Sequence, residues 1–173
     1  MALSAFLTLT STHLGPIEGS VTQSGREGSI EVFAMRHTII SPRDPSRGRP
    51  IGKRLHKPYS VTKAVDASSP ILHSVLTQNE VLTDVTLRFF RPSPTGEERE
   101  AFVVRLRNAT ISSIQTRLQN TQNPRFAGYP IFEEIAPAQS PLRMLATAGE
   151  ALGHVSYFAE LIDEWADRKS TRL

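Results

Sequence analysis

Ser60 and Lys63, in the run "SVTK", match S-x-x-K, the nucleophile motif of some serine acyl-transfer enzymes. That chemistry needs the serine at the start of a helix, so that the lysine lies one turn on and takes its proton. Here Pro58 precedes the motif and the residues alternate: Tyr59, Val61 and Lys63 on one side, Ser60, Thr62 and Ala64 on the other. Residues three apart in a strand point to opposite faces, so Ser60 and Lys63 should not meet. The supporting motifs S-D-N and K-T-G are absent. A second candidate, "GRPIGKR", approaches a phosphate-binding loop. From Gly48 to Gly52 it is one residue short, Arg54 stands where a magnesium-binding hydroxyl belongs, and no helix follows. His13, His37, His56, His73 and His154 form no H-x-x-x-H pair and have no carboxylates at ligand spacing, so they read as structural. No catalytic residue, cofactor or metal is expected. Asn108-Ala109-Thr110 is a glycosylation sequon in form only.

Charge offers the other chemistry. Arg43, Arg47, Arg49, Lys53, Arg54 and Lys57 crowd together against Asp44 alone, while the region from Glu133 to Asp167 is acidic. Such asymmetry suits a nucleic acid or an oppositely charged protein surface. Single-strand binding would also need aromatic platforms, for which Tyr59 and Phe33 are the candidates.

The elements that must carry these residues are mostly strands. "MALSAFLTLTSTH" alternates, with Leu3, Ala5, Leu7 and Leu9 against Ser4, Thr8 and Thr10. Ile30, Val32 and Ala34 oppose Glu31 and His37. Pro42, Pro45, Gly48, Pro50 and Gly52 predict a long loop. Val81, Val85, Leu87 and Phe89 then pair through "RPSPTGEE", with Gly96 in the turn, to Phe102, Val104 and Leu106. A further strand spans Ala109 to Leu118, its phase slipping between Ile111 and Ile114 as at a bulge. In "SSPILHSVLTQN", Ser69 caps a short helix, Pro70 suits its first turn, Ile71, Leu72, Val75 and Leu76 form its face, and Asn79 closes it. Leu142, Leu145, Leu152, Val155, Phe158, Ile162 and Trp165 recur by threes, fours and sevens. With Ser140 and Pro141 ahead of them, they predict an amphipathic helix, or two, over 141–167. The fold class is therefore mainly β: an antiparallel barrel with one short side helix and a helical C-terminal extension.

At 173 residues the chain is long enough for one cored domain, and without cysteine it has neither disulfides nor thiolate metal sites. No apolar run approaches a membrane span, and the alternating N-terminus does not resemble a signal peptide. The protein is expected in the cytoplasm; any export would use no cleaved signal.

Three stretches, in order and spacing, resemble the Hcp family of the type VI secretion system: "GSVTQSGREGSIEV" (19–32), "GRPIGKRLHKPYSVTKAVDASSPIL" (48–72) and "LRFFRPSPTGEERE" (87–100). The pattern H-x-P-x-x-x-T-K-x-[IV]-D-x-x-S-P falls on His56, Pro58, Thr62, Lys63, Val65, Asp66, Ser69 and Pro70. The resemblance covers about residues 3 to 135 and implies a β-barrel subunit that closes into hexameric rings. The rings stack into a hollow tube, which a contractile sheath drives from the cell. Implied partners are further copies of the chain, the sheath and spike proteins, and small effector proteins held in the lumen; nucleic acid and inserted membrane are not among them. A member is not an enzyme unless fused to a toxin. The basic loop, Arg43 to Lys57, is implied to work in ring stacking. A nucleic-acid-binding β-barrel is the alternative.

These readings divide the chain into a barrel domain, 1–135, and a divergent C-terminal segment, 136–173. The family continues past Ile135 with a strand of the type K-I-x-W. None is legible here, which leaves an edge that the predicted helix would cover.

Overall fold

The computed structural model describes residues 4–93, 96–139, 144–148 and 156–158. Its strands are β1 (Ser4–Ser11), β2 (Gly15–Ile17), β3 (Ile30–Val32), β4 (Ala34–Arg36), β5 (Ile39–Ile40), β6 (Leu55–His56), β7 (Ser60–Ala64), β8 (Leu82–Pro92), β9 (Glu98–Arg117), β10 (Phe132–Gln139), β11 (Met144–Ala148) and β12 (Ser156–Phe158). One α-helix, α1 (Ser69–Thr77), lies among the described residues. The expected antiparallel β architecture is present.

Alternation produces the core. Ala5, Leu7 and Leu9 of β1, Val85 and Leu87 of β8, Val104 and Leu106 of β9, Val61 of β7 and Ile135 of β10 all turn inward and are buried. Burying each large one is worth about 1.5–3 kcal/mol over leaving it in water. The sheet runs β2-β1-β8-β9-β10-β7-β4, all antiparallel. The β9–β10 register shifts where Ile135 faces Ile114 and Pro137 faces Ile111, placing an extra residue in β9 at the predicted bulge. A second shift, at Thr10/Ser11, puts Leu82 inside; Val81, expected inward, is 39% exposed.

The two ends of the sheet meet through one run of chain. β3 pairs with β1, and β4, directly beyond Phe33, pairs with β7. The Phe33 N–H donates to Thr62 O at 2.9 Å across this seam. The expected barrel is therefore not closed by a continuous ladder: β3 and β4 hand the chain over within 30–36 but do not pair with each other. The handover also turns Ala34 outward, against the expectation that it follows Ile30 and Val32.

Helix α1 packs Leu72 and Val75 into the core, with Ile71 and Leu76 against its margin, as their spacing predicts. Ser68, not Ser69, is the N-cap, and Pro70 occupies the first turn. At the other end Asn79 adopts φ 51°. Its N–H donates to Leu76 O at 3.1 Å and that of Glu80 to Val75 O at 2.9 Å, a Schellman ending.

Larger expectations change too. The long loop is a hairpin arm: Ile39 pairs with His56 and Ile40 with Leu55, and a bridge joins Arg43 to Pro50. The helix expected over 141–167 gives way to strands where that span is described. β11 pairs with Phe102–Leu106 of β9, and β12 pairs with β11. The remainder of the predicted helix lies outside the described residues. The physical reason is the edge itself: beyond β10, the backbone of β9 offers a row of donors and acceptors that a strand satisfies and a helix does not. β10 itself continues past Ile135 to Gln139.

The loop 19–29 is clamped to the outer face of β1 and β8. The Arg26 guanidinium lies over the rings of Phe6 (4.6 Å) and Phe90 (3.7 Å) and pairs with Glu98 at 2.7 Å. Gly19 passes against the Ser29 carbonyl, where a Cβ would also sit 2.7 Å from Ile30 Cγ1.

Candidate functional site

The S-x-x-K pair separates as strand geometry requires. The Ser60 hydroxyl donates to the Glu134 carboxylate on the outer side, while Lys63 points inward with 0% of its side chain exposed. A buried ammonium must spend its three donors on acceptors. Lys63 Nζ finds Asp66 Oδ1 (2.8 Å), Ser69 Oγ (2.9 Å), Glu133 Oε2 (3.0 Å) and the Ala64 carbonyl (2.9 Å). The Ser69 hydroxyl donates to Glu133 Oε2 at 2.7 Å and accepts from the Asp66 N–H at 3.1 Å. Asp66 Oδ1 accepts from the N–H and hydroxyl of Ser68 at 3.0 and 2.5 Å. His73 Nε2 lies 3.3 Å from Glu133 Oε1 at the rim. Burial alone would raise the carboxyls of Asp66 and Glu133, but their hydrogen bonds and the Lys63 charge hold both below the ordinary range.

This cluster explains the motif residue by residue. Lys63 carries the charge, Asp66 turns the chain out of β7, Ser69 links that turn to β10, and Pro70 starts the helix. Thr62 is the seam residue whose carbonyl receives Phe33. The pair Lys63–Asp66 is buried. No local motif marks Glu133 as the lysine's partner. It shares parity with the inward Ile135, and that was the available signal.

The motif's other end, His56 and Pro58, stands at the base of the arm. His37 stacks on Tyr59 with ring centroids 3.9 Å apart and planes at 8°, and His56 lies 5.9 Å from His37 at 23°. Tyr59 is buried, and burial pushes its phenol up to about 12. It therefore offers no platform to a nucleic-acid base; of the two aromatic candidates only Phe33 is exposed.

Beyond this base the arm is ordered by its own backbone. The Gly48 N–H donates to Asp44 O at 2.8 Å and the Ile51 N–H to Pro42 O at 2.9 Å. Asp44 Oδ1 accepts from the Ser46 N–H at 2.8 Å, and Arg43 donates to Gly48 O at 3.1 Å. Gly48 and Gly52 take φ of 63° and 74°. Arg43, Arg47, Arg49, Lys53, Arg54 and Lys57 are all exposed, and so are Ile39, Ile40, Ile51 and Leu55. The phosphate-loop resemblance fails on geometry, since the glycines sit in a hairpin tip with no helix after them. The arm presents cations and apolar groups together, the mixture of a protein-binding surface.

Residues 6–136 match the family model described as "Type VI secretion system effector, Hcp". The chain is 34% identical over 144 residues to the "Major exported protein" of Pseudomonas aeruginosa, covering 78% of this chain and 84% of that one. Among solved structures it is similar to an Hcp protein (TM-score 0.81, 25% identity, 91% of this chain and 98% of that one). It is also similar to Hcp1 of E. coli EAEC 042 (TM-score 0.76, 26% identity, 91% and 99%).

Proposed function

The chain belongs to the Hcp family of type VI secretion tube proteins, and from that premise we propose that it closes into hexameric rings stacked through the basic arm. The observation that carries the stacking role is the arm's surface: six cations and four large apolar side chains held out on a hydrogen-bonded hairpin. Isolated, such a ribbon gains little from its own packing, and a neighbouring copy would bury the apolar groups and meet the charge. The sheath and spike are the partners of the assembled tube, and small effector proteins occupy its lumen. The chain works as a structural subunit and not as an enzyme. It is made in the cytoplasm and exported with the tube.

Negative-stain microscopy of the purified chain tests ring formation. Monomers alone, at every salt and protein concentration, would remove the ring reading. Reversing Arg47 and Arg49 to Glu tests the arm: rings should persist while tubes shorten. Tubes of unchanged length and salt tolerance would overturn the stacking role.

A further inference from the structure

We propose that the base of the arm is an acid-sensitive hinge, in which the His37–His56–Tyr59 stack holds the arm in place while the His37 imidazole is neutral and releases it when that ring takes up a proton. The inference rests on reading the arm as the stacking element and names what controls its posture.

Both legs of the arm leave the barrel through this stack. His37 precedes β5 by two residues, His56 ends β6, and Tyr59 fixes the barrel side, its N–H donating to Pro137 O at 3.0 Å. Nε2 of His37 and Nδ1 of His56 are buried without hydrogen-bond partners. A neutral ring tolerates a bare acceptor nitrogen. A protonated ring would carry a buried N–H with no acceptor, and a full charge besides. Two such charges 5.9 Å apart disfavour the doubly protonated stack about a hundredfold at an effective dielectric of ~20.

The surroundings supply no relief. Burial first, and then the neighbouring His56, push the His37 pKa down. Just ahead of β7, Tyr59 contributes a neutral phenol. Arg36 of β4 is exposed and lies 3.9 Å from Glu134, and Arg54 and Lys57 on the arm are exposed cations. Among the described residues no carboxylate pairs with either ring. The opened arm therefore binds more protons than the closed one. Closure is complete above the ordinary histidine value of about 6.5 and is lost as pH falls below it, by up to about tenfold per pH unit through His37.

Hydrogen exchange on the full chain, corrected for intrinsic rates, tests this at about pH 7.5 and 5.0. The Lys57 and Ile51 amides, which close the arm onto Thr38 and Pro42, should lose at least about tenfold protection on acidification, relative to amides of β8 and β9. In the double variant His37→Phe, His56→Phe, which keeps the stack without the titration, the loss should disappear. Arm protection that changes less than twofold in the unmodified chain overturns the hinge, and so does a loss that persists in the double variant. If that variant does not fold, an NMR titration of the unmodified protein decides. His37 titrating at or above the ordinary value overturns the proposal. Exchange reads each subunit's arm whether or not rings stack, so an absence of tubes at neutral pH counts against the stacking reading alone.

Discussion

Replacing Lys63 by Met removes one charge from the buried cluster and almost nothing else. Methionine occupies much of the lysine stem's volume, so the cavity cost is small. What remains is two carboxylates, Glu133 at 3% exposure and Asp66 at 13%, without the cation that both contact at 3.0 Å or less. Removing one partner from a buried ion pair costs about 3–5 kcal/mol, and we expect that loss in urea unfolding near neutral pH, at fixed protein concentration and assembly state. The double variant Lys63→Met, Glu133→Gln should recover about 2 kcal/mol of it, because the unpaired charge is gone. The pH dependence has a definite sign. Both carboxyls are held below the ordinary range, so their contribution is full above about pH 4.5 and disappears as pH falls through their folded values. Lys63→Met should lose less stability than the unmodified chain over that interval. A loss under about 1 kcal/mol in the single variant, the size of an exposed pair, would refute the reasoning.

Leu72→Ala should cost about 2–5 kcal/mol in the same unfolding assay, since the side chain is fully buried between α1 and the sheet. Gly19→Ala should cost about 1–3 kcal/mol, because its Cβ would strike the Ser29 carbonyl and Ile30; an unchanged midpoint would show that the loop yields freely. Deleting 141–173 removes β11 and bares Phe102–Leu106 of β9, so the truncated chain should sediment as aggregate, and a soluble ring-forming truncation would show the added strands to be dispensable.

Where local pattern decides structure, the sequence was sufficient. Val85 and Leu87 against Val104 and Leu106 fixed a hairpin, the slip between Ile111 and Ile114 located a bulge, and Pro70 with Asn79 bounded a helix. Long-range pairing was not legible in the same way. Lys63 meets Glu133 only because β7 pairs with β10 in one register, and no local feature of either segment encodes that register. Spacing by threes and fours over 141–167 described a helix in isolation. It could not weigh the demand of the open β9 edge, which β11 meets. The arm's strands are two residues each, too short for alternation to register, so only its turn composition was visible.

The seam over 30–36 and the pairing of β7 with β10 also bear on the order in which the chain folds. β8 and β9 are joined by a short turn and can zip locally, whereas β7 waits for a partner about 70 positions away. Local contacts form before distant ones because less chain entropy is lost in closing them. The prediction is a transition state built on the β8–β9 hairpin, with Lys63 still hydrated. Mutations in that hairpin should then slow folding, while changes at Lys63 or Glu133 should chiefly speed unfolding. Slowed folding in a Glu133 variant would argue against this order. During synthesis the lysine has only Asp66 for a carboxylate partner until residue 133 arrives, so a nascent chain that stops short of β10 cannot bury it as the finished fold does.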